Sequence, residues 1–189
     1  MKKIICLVMF LLVFASAAEA ANPIKIGVVG PFSGELAHSV SDVRQALDML
    51  ASDINRAGGI GGREVVLLVE DDGGTPEGAA SAAQRLVKAG VTAVVGSLTS
   101  GCTGAMQPIL NDARIVQITY AATAVSLSEQ GMKYFFRTCP RDDEQGKAAT
   151  RVIEKMKLSR IALVHDGSPY ATGLAGEVMK RTLAKGMTV

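Results

Sequence analysis

Histidine, cysteine and net charge are all scarce in this 189-residue chain, and tryptophan is absent. His38 and His165 are the only imidazoles and fall on different loops, so each reads as solvated or structural rather than as a general base. Of the three cysteines, Cys6 lies in an N-terminal apolar run, which leaves Cys102 and Cys139. Two thiols are far from a disulfide framework, although a bridge between them stays open, and neither has a His or Cys at metal-ligand spacing. No metal or cofactor is expected. Twenty Lys and Arg stand against 18 Asp and Glu. Such a weak field excludes nucleic acid and the membrane surface as partners and favours a small uncharged or zwitterionic one.

Enzymatic motifs are missing as well. Gly27-Val28-Val29-Gly30-Pro31-Phe32-Ser33-Gly34 has glycines after a strand but is not G-x-G-x-x-G, and neither a Gly-Lys-Ser/Thr nor a G-x-S-x-G sequence occurs. Asp71-Asp72 is a carboxylate pair, but neighbours at a strand end point in different directions and read as a loop cap, not an acid/base couple. What is present is the composition of a globular domain, 48% hydrophobic with 20 glycines.

The longest apolar run, Ile4 to Phe14, is too short for a hydrocarbon core that takes about 20 residues. Preceded by Lys2-Lys3 and followed by Ala15-Ser16-Ala17-Ala18-Glu19-Ala20, it has the order of a signal peptide cleaved near Ala20. Residues 1–20 are therefore expected to direct export, with no membrane insertion after cleavage.

Beyond the signal, strand and helix patterns alternate. Ile24 to Val29 is a short apolar run, and Val40 to Arg56 carries Val43, Ala46, Leu47, Leu50, Ala51 and Ile54 at helical spacing. Glu64 to Glu70 reads as a buried parallel strand. Thr75-Pro76 is a capped helix start before the stripe Ala79, Ala82, Ala83, Leu86 and Val87. The pattern continues through strand 91–95, helix 103–113, strands 115–119 and 134–138, and a helix over 143–156 with Ala148, Ala149, Val152, Ile153 and Met156 inward. Strand 160–165 and a helix near 172–185 complete it. This is α/β architecture with a doubly wound parallel sheet, in which ligands sit outside the carboxyl ends of the strands.

Two strand-end loops draw attention. Gly96-Ser97-Leu98-Thr99-Ser100-Gly101-Cys102-Thr103-Gly104 places hydroxyls and small residues where a helix begins, a composition that suits a carboxylate. Capping by Ser97, Thr99 and Thr103 is the plainer alternative. Tyr120-Ala121-Ala122-Thr123-Ala124 follows the next strand, where carbonyls suit an ammonium and the Thr123 hydroxyl suits either charge. Tyr170, on a Gly/Pro-shaped loop, is positioned to close over a ligand.

Ile24 to Gly34, Asp53-Ile54-Asn55-Arg56-Ala57-Gly58-Gly59-Ile60, the Gly96 to Cys102 loop, Ala121-Ala122-Thr123 and Val164-His165-Asp166 together resemble the leucine/isoleucine/valine-binding proteins. These are periplasmic binding proteins of type I fold that deliver amino acids to an inner-membrane ABC transporter. The resemblance implies a periplasmic protein that binds a branched-chain or related amino acid between two lobes by hinge closure, partnered by a transporter permease. It implies that Ser100 holds the ligand carboxylate and that Ala121, Ala122 and Thr123 serve its α-amino and α-carboxylate groups, with Tyr170 closing from the second lobe. Ser39 stands where leucine-binding members tend to have a packing tyrosine, Tyr120 replaces a more usual proline, and Gly74 and Thr99 stand where some members have a disulfide.

The expected domains are a signal peptide over 1–20, a first lobe over 21–141 lacking its return elements, and the start of a second lobe over 142–189. The acidic partner of the ligand ammonium in that family would fall beyond residue 189. On this reading the chain by itself folds weakly and binds no amino acid tightly. Two alternatives are a ligand-sensing module of the same fold, such as an amide sensor or receptor ectodomain, and an exported α/β enzyme, for which no nucleophile was found.

Overall fold

The computed structural model describes residues 22–189, so the export signal expected over residues 1–20 lies outside the described residues. Five strands, β1 (Ile24–Gly30), β2 (Val65–Asp71), β3 (Ala93–Val95), β4 (Val116–Thr119) and β5 (Phe135–Arg137), form one sheet in the order β2-β1-β3-β4-β5. Every pairing is parallel. Five helices intervene or follow: α1 (Ser41–Arg56), α2 (Pro76–Ala89), α3 (Ser100–Asp112), α4 (Asp142–Lys155) and α5 (Pro169–Ala184). The chain leaves β1 to one side for β2 and returns to its other side for β3, which makes the β1/β3 boundary a topological switch point.

The core lies where α2 and α3 cover that boundary. Val29 and Val94 from the sheet meet Ala79, Ala82, Ala83 and Leu86 of α2 and Cys102, Met106 and Leu110 of α3. Alanines on α2 let the helix approach closely, and Gly27 of β1 completes the fit, since a Cβ there would stand 2.6 Å from Leu86 Cδ1. Gly96 ends β3 at φ +123° with its Cα facing the Val29 carbonyl, a place no side chain can occupy.

Several expectations are corrected. Residues 160–165 form no strand. Arg160 makes a single parallel bridge to Thr188, and Val164 is 95% exposed, because a strand needs a neighbour along its length and the described residues supply one rung. β2 is an edge strand and mostly half-buried, not a fully buried one. The stripe on α1 is at best half covered and Leu50 is 55% exposed, since the helix leans only on the β2 side of the sheet. On α4 the buried positions are Asp142, Gly146 and Thr150, spaced by four, rather than Val152 and Met156. That narrow face packs on α5, and Gly146 admits the Glu177 Cβ. Helices α3 and α5 each begin three residues earlier than expected, because Thr99 and Ser168 act as their N-caps.

Candidate functional site

Three helix beginnings meet outside the carboxyl ends of the strands. Thr75, Thr99 and Ser168 cap α2, α3 and α5, their hydroxyls accepting from Gly78 N at 3.1 Å, Cys102 N at 3.2 Å and Ala171 N at 3.2 Å. Pro76 and Pro169 occupy the first positions of α2 and α5, where a missing N–H costs nothing. Between them stands Gly101 of α3, whose added Cβ would contact Pro169 at 3.5 Å and Pro76 at 3.7 Å. A cleft of about 510 Å³ opens at this junction.

Its walls are mixed in a useful way. Leu36, Leu98, Pro76 and Pro169 supply aliphatic surface, Ser100 and Ser168 supply hydroxyls, and Tyr170 supplies an aromatic ring. Asp166 is the one charged lining residue, and the Ser168 N–H, at 2.9 Å, foremost among its partners, holds its carboxyl below the usual range. Among the described residues, the backbone N–H groups of Ser100 and Gly101 donate to no protein acceptor. Unpaired N–H groups at the positive end of a helix form an anion site.

The Gly96–Thr103 loop is fixed from below. Asp72, almost fully buried, accepts from the Ser97 hydroxyl and from Gly74 N at 2.8 Å. Burial pushes its carboxyl above the usual range, against the pull of those hydrogen bonds. The Ser97 carbonyl accepts from Thr103 Oγ1 at 3.2 Å and Thr119 Oγ1 at 3.0 Å. Of the three hydroxyls offered as caps, only Thr99 caps; Ser97 and Thr103 tie the loop to its neighbours. Asp71 turns away, accepting from the N–H groups of Phe32 at 2.9 Å, Ser33 at 3.3 Å and Gly73 at 2.9 Å. The two carboxylates thus serve separate loops. His38 contacts the Glu35 carbonyl at 2.9 Å, and His165 Nδ1 accepts from Gly167 N at 3.2 Å. Cys102 and Cys139 are free thiols, and Cys139 Sγ donates to the Ala122 carbonyl at 3.4 Å.

Ser100, Ala121 and Tyr170 line the cleft together. Ser100 is 4% exposed, and its Oγ accepts from Ala124 N at 3.3 Å, joining the two expected loops while leaving its proton free to donate. Tyr170 is in the first turn of α5, not on a loop. Ala122 and Thr123 are not among the lining residues and lie buried behind Ala121. Ala122 donates to Thr119 Oγ1 at 3.1 Å and accepts from Arg137 Nη1 at 3.1 Å. Sequence reasoning missed Leu36, Leu98, Gly101 and Ser168, although Thr75-Pro76 and Ser168-Pro169 share one helix-start pattern that could have paired them.

Comparison with known proteins agrees with this architecture. Residues 23–189 match the family model described as periplasmic binding protein. A Leu/Ile/Val-binding protein homolog 3 of Brucella melitensis is 37% identical over 174 residues, 92% of this chain and 46% of that protein. The leucine-, isoleucine-, valine-, threonine-, and alanine-binding protein of Pseudomonas aeruginosa is 36% identical over 177 residues, 93% and 48% of the two chains. Among solved structures, a branched-chain amino acid transporter substrate binding protein of Streptococcus pneumoniae, in complex with isoleucine, superposes with TM-score 0.77 at 32% identity, covering 84% of this chain and 46% of the other. An ABC transporter substrate-binding protein of Desulfitobacterium hafniense in complex with Leu gives TM-score 0.74 at 28% identity, covering 88% and 49%. The chain spans about half the length of the curated relatives it matches.

Proposed function

The chain belongs to the periplasmic binding protein family, and from that membership we propose that the protein binds a branched-chain or related amino acid and delivers it to an inner-membrane ABC transporter permease. The observation that carries this reading is the junction of three helix N-termini over an aliphatic cleft. A carboxylate there takes the free N–H groups of Ser100 and Gly101 and the Ser100 hydroxyl, with the helix dipoles adding to the attraction. Leu36, Leu98 and the two prolines offer apolar surface to a branched side chain. The ammonium end is served by the main chain at Ala121, and Asp166 adds a negative charge on the facing wall. A ligand carrying both charges is pulled by both ends of the site.

Tyr170, Ser168 and Asp166 all belong to the segment after α4, whereas Ser100, at the start of α3, and Ala121, in the loop after β4, belong to the part that precedes it. Closure of the later segment over the earlier one therefore buries the ligand, and a ligand that touches both favours the closed arrangement by its differential affinity. Calorimetric titration of the full-length protein with leucine, isoleucine and valine tests the reading. Binding of at least one, with Ser100→Ala weakening it, is the expected result; heat-silent titrations with all three, together with no shift in melting temperature, would refute it.

A further inference from the structure

We propose that Arg137 is a positioning residue for the cleft: it holds the Ala122–Ala124 loop so that the Ala124 N–H stays on the Ser100 hydroxyl, which leaves the proton of that hydroxyl for the ligand carboxylate. The inference rests on the amino-acid reading above and concerns a side chain that does not itself line the cleft.

Arg137 is the last residue of β5, and Phe135, two positions earlier, shares its face of the strand. The guanidinium lies over the Phe135 ring, 5.4 Å from its centroid, and that ring packs against the cluster of Ala122, Ala124 and Leu127. From there Nη1 donates to the Ala122 carbonyl at 3.1 Å, while Nη2 donates to the Ala124 carbonyl at 3.0 Å and to the Ser128 hydroxyl at 2.6 Å. Nε is buried and, among the described residues, bonds to no acceptor, so the two Nη atoms make the whole polar contact. The carbonyl between the two, that of Thr123, accepts from the Asp142 N–H at 3.0 Å. Three successive carbonyls are thus taken up by Arg137 and Asp142, neither of which lines the cleft.

These bonds fix the peptide planes of the loop. The Ala122 carbonyl belongs to the peptide before the 123–124 unit, and the Ala124 carbonyl to the peptide after it. The guanidinium therefore grips both sides of the peptide that carries the Ala124 N–H, and this N–H donates to Ser100 Oγ at 3.3 Å. A serine hydroxyl has one proton to give and lone pairs to accept with. Accepting from an N–H polarises it, so its own proton is donated elsewhere and more strongly. At 3.3 Å the bond is long, and a small rotation of the 123–124 peptide breaks it.

A cation near the site could also act on a carboxylate through charge alone. Lysine separates the two roles, because it keeps the charge but replaces the rigid fork by one nitrogen that cannot grip both carbonyls in the same way.

The experiment is calorimetry with leucine on the full-length protein carrying Arg137→Met or Arg137→Lys, each with and without Ser100→Ala, and ligand-free melts establish that the variants are folded. With Ser100 present, both Arg137 variants should weaken leucine binding by about fivefold or more. With Ser100→Ala, the further loss should stay below about twofold, since the hydroxyl that Arg137 serves is gone. Arg137→Lys carries the test if the methionine variant does not fold. Losses of equal size with and without the Ser100 hydroxyl would make Arg137 a fastener of the loop only, and a lysine variant with wild-type affinity would leave only its charge. Either result overturns the positioning role and leaves the amino-acid reading standing. A wild-type protein that binds none of leucine, isoleucine and valine overturns both.

Discussion

Removing one oxygen from Ser100 separates folding from binding. The Ser100 hydroxyl is nearly buried at the first position of α3 and accepts the Ala124 N–H at 3.3 Å. Ser100→Ala leaves that buried N–H unpaired, a cost of about 1 kcal/mol for a bond this long. Alanine is a favourable helix residue and Thr99 still caps, so little else changes in the fold. The expected loss in melting temperature is about 2 to 4 °C for a chain of this size. Binding loses more, because the hydroxyl proton meets a charged carboxylate: about 1.5 to 3 kcal/mol, or roughly 10- to 150-fold in Kd. Calorimetry with leucine and a ligand-free thermal melt on the full-length protein measure the two effects separately. A Kd within about threefold of wild type, combined with the lowered melting temperature, would show that Ser100 only joins two loops, and would refute its place in the site.

Three further outcomes follow from particular contacts. Gly96→Ala forces a Cβ onto the Val29 carbonyl at a backbone angle that disfavours any side chain, so a loss of at least about 3 kcal/mol in denaturant unfolding is expected. Burial raises the Asp72 carboxyl above 3.8, so the stability it contributes is fully present below 3.8 and is lost as pH rises through the folded value. Asp72→Asn has no such proton to lose, and its stability relative to wild type should therefore climb with pH from 3.8 towards neutrality; parallel pH curves in urea melts would contradict this. Tyr170 is well exposed and, among the described residues, its hydroxyl makes only the 3.5 Å contact to Gln145. Tyr170→Ala should accordingly weaken amino-acid binding while changing the melting free energy by no more than about 0.5 kcal/mol, measured by calorimetry alongside a melt.

The alternation of strand and helix was legible because its signals are local. Thr75-Pro76, the alanine stripe of α2 and the glycines that end helices act within a few residues, and each element they mark is present within a few residues of its expected ends. Residues 160–165 misled for the opposite reason. Their apolar content resembles a strand, but hydrogen bonding to a neighbour decides, and among the described residues only the Arg160–Thr188 bridge is there. The α4 stripe failed in the same way: periodicity marks an apolar face, whereas contact with α5 selects Asp142, Gly146 and Thr150 for burial.

For the site, composition pointed to Ser100, the Tyr120–Ala124 loop and Tyr170, because hydroxyls, small residues and an aromatic at strand ends or helix starts are local facts, and the family resemblance singled out Ala121 within that loop. That Ala122 and Thr123 stand behind the cleft, and that Thr123 abuts a buried carboxylate from the next segment, depends on how the crossover after β5 folds back. The sequence by itself determined most of the order of elements and the loops worth watching, since each rests on neighbours along the chain. Only the tertiary structure decided that three helix N-termini converge and that Asp142 meets Thr123, because both join residues far apart in sequence whose proximity is set by parallel strand order and helix packing.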